Sequence, residues 1–233
     1  IADVDFKEVY KSCSVFCEEI KSGSQARHVM TLACQAAINK RGVAVVIMPT
    51  NVSEEFVETG LPFRVYRPNP VITPSLEELH QIKELINCND KITIYAGIGA
   101  QHAHDEVVAL AAKLKAPVVH TSRAKDFIEY DNPYNMGMNG MYGNKAGVNS
   151  ISNSEVLLLL GTDFAFAQFY PKHAKIIQID IEATHLGRRY PVEIGVVGNV
   201  APTLKALMPL LDEKTNTAFL DEGLALKKLS DEL

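Results

Sequence analysis

The 233-residue sequence contains no tryptophan, few aromatic residues and no long apolar segment. Aromatic side chains make up 7% of the chain, and no apolar run approaches the roughly 20 residues that span a bilayer. The first ten residues, IADVDFKEVY, also lack the basic and apolar regions of a signal peptide. We therefore predict no transmembrane segment and expect a cytoplasmic protein.

The sequence also lacks an excess of basic charge and a metal-binding cysteine pattern. The net charge is −5, so nucleic-acid binding has no electrostatic support, and the densest basic spot, Arg188-Arg189, is predicted to be a solvated loop. The cysteines form neither a CxxC pair nor a zinc knuckle, so we expect free thiols at Cys13, Cys17, Cys34 and Cys88. Motifs of serine hydrolases, metalloproteases and P-loop proteins are absent. We predict no catalytic residue and no metal ligand in this chain.

Short apolar strands that alternate with amphipathic helices are the main pattern present. Helices are predicted from Ser75, where a capping box begins, over 102–114 and over 200–211, with a turn-rich segment from 122 to 149. This alternation predicts an α/β fold with a Rossmann-like, doubly wound parallel sheet. The predicted strands are 92–96, 117–120, 156–160, 176–181 and 194–197.

The first 60 residues are predicted to be an αβ tail of a truncated α/β domain. Helical spacing covers 5–20 and 25–39, and the apolar run 43–48 predicts one strand, which needs sheet neighbours that this segment does not supply. Prolines predict an extended linker over 61–74. The central domain is assigned to 75–212, and the charged residues 213–233 are interpreted as a second linker.

Two glycine-rich segments point to a nucleotide-like ligand. Gly97-Ile98-Gly99-Ala100 follows a strand and carries two of the three glycines of the dinucleotide fingerprint, although tight turns also use such glycines. Gly137–Gly143 has three glycines in seven residues, with apolar side chains that suit the wall of a flat ring system better than a solvated loop.

Polar residues at strand ends have alternative interpretations. Asp180 is either a turn-forming residue or an acceptor for a ribose or adenine, and His120 is either a satisfied turn histidine or a cofactor contact. Asp163 either caps the following segment or places a negative charge near a phosphate-bearing ligand. His102 and His104 diverge at a helix start, so no metal pair is predicted there.

Four segments together resemble a known family. They are EYDNPY at 129–134, GMNGMYG at 137–143, LLLLGTDF at 157–164 and KIIQIDI at 175–181. They are similar to the middle domain of the pyruvate oxidases and of the quinone-dependent pyruvate dehydrogenases. Residues 25–52 are similar to the end of the N-terminal, pyrimidine-binding domain of these enzymes.

The resemblance implies a thiamine-diphosphate- and FAD-dependent enzyme that oxidatively decarboxylates pyruvate, a 2-oxo acid, to acetyl phosphate or acetate. It places FAD in this chain, and thiamine diphosphate and Mg²⁺ outside it, so a fragment of this extent is expected to be inactive alone. It also implies a homotetramer for the intact enzyme. The electron acceptor, oxygen or quinone, depends on segments outside the chain.

Carried over by position, the resemblance implies FAD contacts at the strand ends. Glycine turns are expected at the pyrophosphate, Asp180 at the adenosine end and the methionine loop at the isoalloxazine. The implied residues are Gly97, Gly99, Ala100, Thr121, Lys125, Met138, Asn139, Gly140, Met141, Gly161, Thr162, Asp163, Phe164, Ala165, Ile179 and Asp180.

Two alternatives stay open. The first alternative to a pyruvate oxidase is an acetolactate-synthase-like carboligase or 2-oxo acid decarboxylase with a structural middle domain. The second is a nucleotide-binding regulatory module that uses NAD or ADP. The glycines at 137, 140 and 143 are taken as evidence against the first, because a purely structural loop is not expected to need them. The orphan αβ tail is taken as evidence against the second.

Overall fold

The structure, a computed structural model, describes residues 4–58, 60 and 62–232. It divides into two compact units, one up to Pro70 and one from Val71 onward. The predicted domain limits at residues 1, 61 and 233 lie outside the described residues.

The described part of the first unit contains a two-stranded parallel sheet and three helices. The elements are α1 (Phe6–Lys11), β1 (Phe16–Glu19), α2 (Gly23–Asn39), β2 (Ala44–Ile47) and α3 (Thr50–Ser53). The prediction of one helix over 5–20 is wrong, because α1 ends at Lys11 and β1 pairs with β2. The register of Phe16 with Ala44 provides backbone hydrogen bonds that a continued helix would lose, so tertiary pairing overrides the helical spacing.

The second unit is the predicted doubly wound α/β fold. Six parallel strands lie in the order β5-β4-β3-β6-β7-β8, so chain order reverses between the adjacent strands β3 and β6. The strands are β3 (Ile92–Ala96), β4 (Val118–His120), β5 (Asn135–Met138), β6 (Val156–Leu160), β7 (Lys175–Asp180) and β8 (Ile194–Val197). The helices are α4 (Leu76–Asn87), α5 (His104–Leu114), α6 (Lys125–Ile128), α7 (Lys145–Ser152), α8 (Val200–Leu207) and α9 (Ala218–Asp231).

Helices cover both faces of this sheet. Apolar residues of α4, α5 and α8 pack on one face, whereas α7, α9 and Tyr170 pack on the other. The capping box at Ser75 and Glu78 begins α4 as predicted. Because both faces are covered, successive side chains of the central strands are buried in one cluster or the other, as the apolar runs predict.

Four elements of the second unit differ from the sequence prediction. The turn-rich segment 122–149 contains α6, the edge strand β5 and the start of α7. The segment 213–233, interpreted as a linker, contains α9, whose Phe219 and Leu220 are buried. The sequence analysis missed α9 because this segment is rich in charged residues and only a few of its apolar residues pack inward. No helix in the described ranges is both long and apolar enough to cross a membrane.

Candidate functional site

Five predicted ligand-binding segments lie at one edge of the six-stranded sheet. Each segment lies at the carboxyl end of one of the five strands β3 to β7, either directly after the strand or in its last residues. The reversal between β3 and β6 creates the position where open parallel sheets bind ligands. The structure therefore gathers the predicted segments, although not every predicted side chain, at one candidate site.

The glycines after β3 and β6 are in direct contact with each other. The Gly99 N–H donates to the Gly161 carbonyl oxygen at 3.0 Å, and the Gly97 N–H donates to the Leu160 carbonyl oxygen at 2.9 Å. A Cβ atom on Gly99 would lie 2.6 Å from the Gly161 Cα atom, and Gly161 itself has a φ of +58°. The packing of one turn against the other therefore explains these glycines without a ligand.

The backbone conformation and packing of 137–143 also require glycine at three positions. Gly137 and Gly140 have φ values of +83° and +102°, and a Cβ atom on Gly143 would lie 2.9 Å from the Gly140 carbonyl oxygen. The expectation that a structural loop needs no glycine here is wrong, because this backbone requires them. These glycines therefore do not decide between a binding loop and a structural loop.

The loop after β5 lies against the segment that follows β6. A Cβ atom on Gly140 would lie 3.0 Å from the Phe164 ring, and the Asn139 side-chain amide donates to the Phe169 carbonyl oxygen at 3.3 Å. Met141 and Tyr142 are 72% and 83% exposed. Their apolar side chains are available to a ring system at this edge, whereas Met138 is half-buried.

An aromatic cluster supports the segment after β6. The Phe164 ring packs edge-on against Tyr95 at a centroid distance of 5.4 Å, and the Tyr170 hydroxyl donates to the Phe164 carbonyl oxygen at 2.9 Å. Burial, with a smaller effect of the charge on Asp163, raises the pKa of Tyr170 to about 12. The phenol therefore remains a donor, and it holds the Phe164 backbone in place.

Two runs of backbone N–H groups at this edge have no acceptor within the described residues. Within the described ranges, no acceptor is found for the N–H groups of residues 162–166 or 140–142. Thr162, which begins the first run, is buried. A row of backbone N–H groups at the end of parallel strands can bind phosphate oxygens. These two runs are therefore candidate donors to phosphate oxygens.

Lys125 is engaged in a polar cluster with His120 and Glu129. Its ammonium lies 2.7 Å from Glu129 Oε2, while the buried His120 ring contacts Glu129 Oε1 and the Thr121 carbonyl oxygen, both at 2.9 Å. Burial alone would raise the pKa of Glu129, but hydrogen bonds from Lys125 and His120 outweigh it, and the pKa lies below its usual value. His120 is therefore a turn histidine whose two ring nitrogens are both satisfied by protein groups.

Asp163 pairs with the two arginines that were predicted to be a solvated loop. Its carboxylate, 8% exposed, contacts the Arg188 guanidinium and lies 3.2 Å from Arg189 Nε. Arg188 and Arg189 lie in an exposed loop, as predicted, but the sequence analysis did not predict that their side chains cross to the segment after β6. Their positive charge offsets the negative charge of Asp163 at the candidate phosphate position.

Asp180 is held in a turn, and two other predicted residues lie in the core. Asp180 Oδ1 accepts from the Glu182 N–H at 3.0 Å and lies 3.6 Å from His185 Nδ1. This is the turn-forming interpretation of Asp180. The side chains of Ala100 and Ile179 are fully buried in the core on the sheet face that α4, α5 and α8 cover. They contribute backbone, not side chains, to this edge.

Gln178 is a site residue that the sequence analysis missed. It is 3% exposed, and its amide hydrogen bonds to Thr162, His185 and Gly187, which lie in the segments after β6 and β7. The signal was a glutamine within the otherwise apolar run KIIQI, since a buried amide must find partners.

A groove at the opposite edge of the sheet is a weaker candidate. A groove of about 390 Å³ lies near the amino ends of β7 and β8 and is lined by Glu84, Lys175 and Glu193 among others. No glycine turn borders it, and its charged groups face solvent. The carboxyl edge is therefore the better candidate site.

Comparison with known proteins gives a family match. Residues 79–207 match the model for the thiamine pyrophosphate enzyme central domain. The chain is 40% identical over 221 residues to an uncharacterized 42.6 kDa protein in the isoamylase 3′ region of Pseudomonas amyloderamosa, covering 94% of this chain and 56% of that protein.

Two named enzymes are more distant relatives. Pyruvate oxidase of Lactiplantibacillus plantarum is 25% identical over 85% of this chain and 34% of its own length. The large subunit of acetolactate synthase from Corynebacterium glutamicum is 29% identical over 74% of this chain and 29% of its own length. The chain thus spans about half of the first relative and about a third of these two enzymes.

Proposed function

The chain belongs to the family of thiamine pyrophosphate enzymes, and we propose that its central domain binds FAD within an enzyme that oxidatively decarboxylates pyruvate. The observation that carries the proposal is the pair of unpaired N–H runs, 140–142 and 162–166, at the reversal of strand order. FAD, when bound there, would accept the electrons that the decarboxylation releases. Thiamine diphosphate and Mg²⁺ belong to the intact enzyme in this proposal, and so do the homotetramer and the cytoplasmic location.

The residues of this chain would bind and orient the flavin. The N–H groups of 162–166 would donate to the pyrophosphate, and Arg188 and Arg189 would offset the charge of Asp163 beside it. Met141 and Tyr142 would cover one side of the isoalloxazine, because they are the exposed apolar groups of the neighbouring loop. Asp180 would accept from the adenosine end with the carboxylate oxygen that the Glu182 N–H does not occupy.

The purified protein tests this proposal directly. After incubation with FAD and desalting, we expect retained flavin absorbance near ~450 nm and a higher melting temperature, since a ligand that binds only the folded state stabilises it. Gly140→Ala should reduce retention at least tenfold, because its Cβ would lie 3.0 Å from Phe164 at a φ of +102°. Gly195→Ala in β8, where the new Cβ meets its nearest neighbour at 3.4 Å, is the control.

A second candidate is a carboligase or decarboxylase with a structural middle domain. It is favoured by the glycine contacts, since Gly99 and Gly161 are explained by mutual packing alone. A protein that stays colourless and shows no thermal shift with FAD would support this candidate over the first. Stabilisation by NAD or ADP but not by FAD would instead favour a regulatory nucleotide site.

A further inference from the structure

Gln178 connects two loops at the candidate site. The β6 loop is residues 161–166 and the β7 loop is residues 181–190. The Gln178 Nε2 group donates to the Thr162 carbonyl oxygen at 3.3 Å and to the His185 carbonyl oxygen at 3.1 Å, and its Oε1 accepts from the Gly187 N–H at 2.9 Å. One buried side chain therefore uses both of its polar atoms to join two loops.

The orientation of this amide is fixed by its partners. A reversed amide would place oxygen against two carbonyl oxygens and NH₂ against an N–H, losing all three hydrogen bonds. The side chain cannot turn to water instead, because it is 3% exposed. Loss of the amide would therefore take the side-chain partner from the Thr162 carbonyl oxygen and the Gly187 N–H, whereas the His185 carbonyl oxygen would keep the Arg188 N–H at 3.2 Å.

The Gln178 bridge sets where the donors of the β6 loop point. Thr162 begins the run of unpaired N–H groups, and Asp163, the next residue, contacts Arg188 and Arg189 of the β7 loop. The arginine contacts are half exposed, whereas the Gln178 contacts are buried, so water and salt weaken the arginine contacts more. The buried bridge is thus the stronger constraint on the two loops.

We propose that Gln178 is a positioning residue for the cofactor site, whose amide holds the β6 and β7 loops in the arrangement that presents the Thr162–Phe166 N–H groups to a phosphate. It does not itself contact the ligand, because it is enclosed beneath both loops. The inference rests on the proposed function for its ligand, FAD, but the ordering of the loops is measurable without any ligand.

Gln178→Met is the test variant, because methionine has a similar volume and forms none of the three hydrogen bonds. Thr93→Val is the matched control: Thr93 is also fully buried in the same sheet, and its hydroxyl donates to the Ser150 carbonyl oxygen at 2.6 Å, away from both loops. Gln178→Met loses three hydrogen bonds at the carboxyl edge, whereas Thr93→Val loses one buried hydrogen bond, between β3 and α7. FAD affinity by flavin titration and trypsin cleavage after Arg188 and Arg189 without FAD are measured on all three proteins.

We expect Gln178→Met to weaken FAD binding at least tenfold and to speed cleavage after Arg188 or Arg189 at least fivefold, with Thr93→Val within twofold of wild type in both. A Gln178→Met protein with wild-type affinity, or with wild-type cleavage, would overturn the proposal. So would equal losses in the two variants, since those would reflect stability alone. Wild-type protein that binds no FAD would refute the proposed function, and the cleavage comparison would still decide whether Gln178 orders the loops.

Hydrogen exchange on the wild-type protein covers the case in which Gln178→Met does not fold. The Gly187 N–H should exchange as slowly as amides of β7, because its acceptor is buried. Exchange of the Gly187 amide as fast as that of open loop amides would contradict the bridge.

Discussion

At the scale of single residues, the glycines of the site are constrained by backbone contact. Gly161 combines a φ of +58° with a position where a Cβ would lie 2.4 Å from the Gly99 Cα atom, whereas Gly187 has a similar φ of +67° but a nearest neighbour at 3.7 Å. The two positions share the conformational cost of a side chain in the left-handed region, and only Gly161 adds a steric clash.

We therefore expect Gly161→Ala to lower the free energy of unfolding by about 3 kcal/mol or more, and Gly187→Ala by about 1 kcal/mol. Urea unfolding of both variants measures the difference. Equal losses would show that the two turns separate easily, and would remove the structural explanation of the glycines after β3 and β6.

Asp163 gives a second prediction at this scale. Its carboxylate is nearly buried, while the arginines that contact it are 44% and 43% exposed. Asp163→Asn should lower the free energy of unfolding by about 1 kcal/mol at low salt, since exposed partners limit the strength of an ion pair. The difference in the free energy of unfolding between wild type and variant should become smaller in ~1 M salt. A gap that is independent of salt would show that hydrogen bonding, not charge, holds the β7 loop.

At the scale of elements, the sequence predicts five strands of the sheet but misses the edge strand β5 and the helix α7. β3 and β6 match their predictions because β-branched and leucine runs are buried on both faces, and the edge strand β8 also matches although only Val196 is buried there. β5 was missed because Asn135–Met138 has no β-branched residue, and α7 because glycine and serine are poor helix formers. In α7, burial of Ala146 and Ile151 compensates for low propensity, and only tertiary contact supplies that information.

The α9 helix gives a prediction that separates a packed element from a linker. Leu220 is 5% exposed and packs with the cluster on the α7 face, whereas Leu229 of the same helix is 58% exposed. Leu220→Ala should lower the free energy of unfolding by about 2–4 kcal/mol, and Leu229→Ala should change it by no more than about 0.5 kcal/mol. Two near-neutral variants would restore the linker interpretation of this segment.

The contact between α6 and β4 gives a pH-dependent prediction. The pKa of Glu129 is lowered in the folded state, so its ionised form stabilises the fold above its ordinary value of 4.5. That contribution is lost as the pH falls through the folded-state pKa. Because the carboxylate is partly exposed, we expect Glu129→Gln to cost at most about 1 kcal/mol at pH 7.

The cost of Glu129→Gln should shrink as the pH is lowered below about 4.5, when the wild-type carboxylate also becomes neutral. Urea unfolding from pH 7 to pH 3.5 measures it, with Glu77→Gln on the exposed surface of α4 as the control. A cost that stays constant over this range would mean that packing, rather than charge, accounts for the role of Glu129.

At the scale of the whole molecule, the strand order predicts the edge of the sheet at which a ligand binds. The sequence predicted the parallel sheet and the segments of the candidate site, because glycine turns follow apolar strands. It did not predict that Gln178 and Asp163 join the β6 and β7 loops, since these contacts depend on β6 and β7 being neighbours. All segments of the candidate site lie in the unit that begins at Val71.

Hydrogen exchange with and without FAD is therefore expected to show where binding stabilises the chain. At FAD concentrations of about 100 times the dissociation constant, binding adds about 2.7 kcal/mol to the stability of the folded state. The slowest amides of β3 and β6 should then exchange about 100-fold more slowly, because they exchange only when the second unit unfolds. Protection that appears in β2 of the first unit but not in β6 would place the flavin elsewhere, and equal protection by ADP would assign the edge to the adenine nucleotide alone.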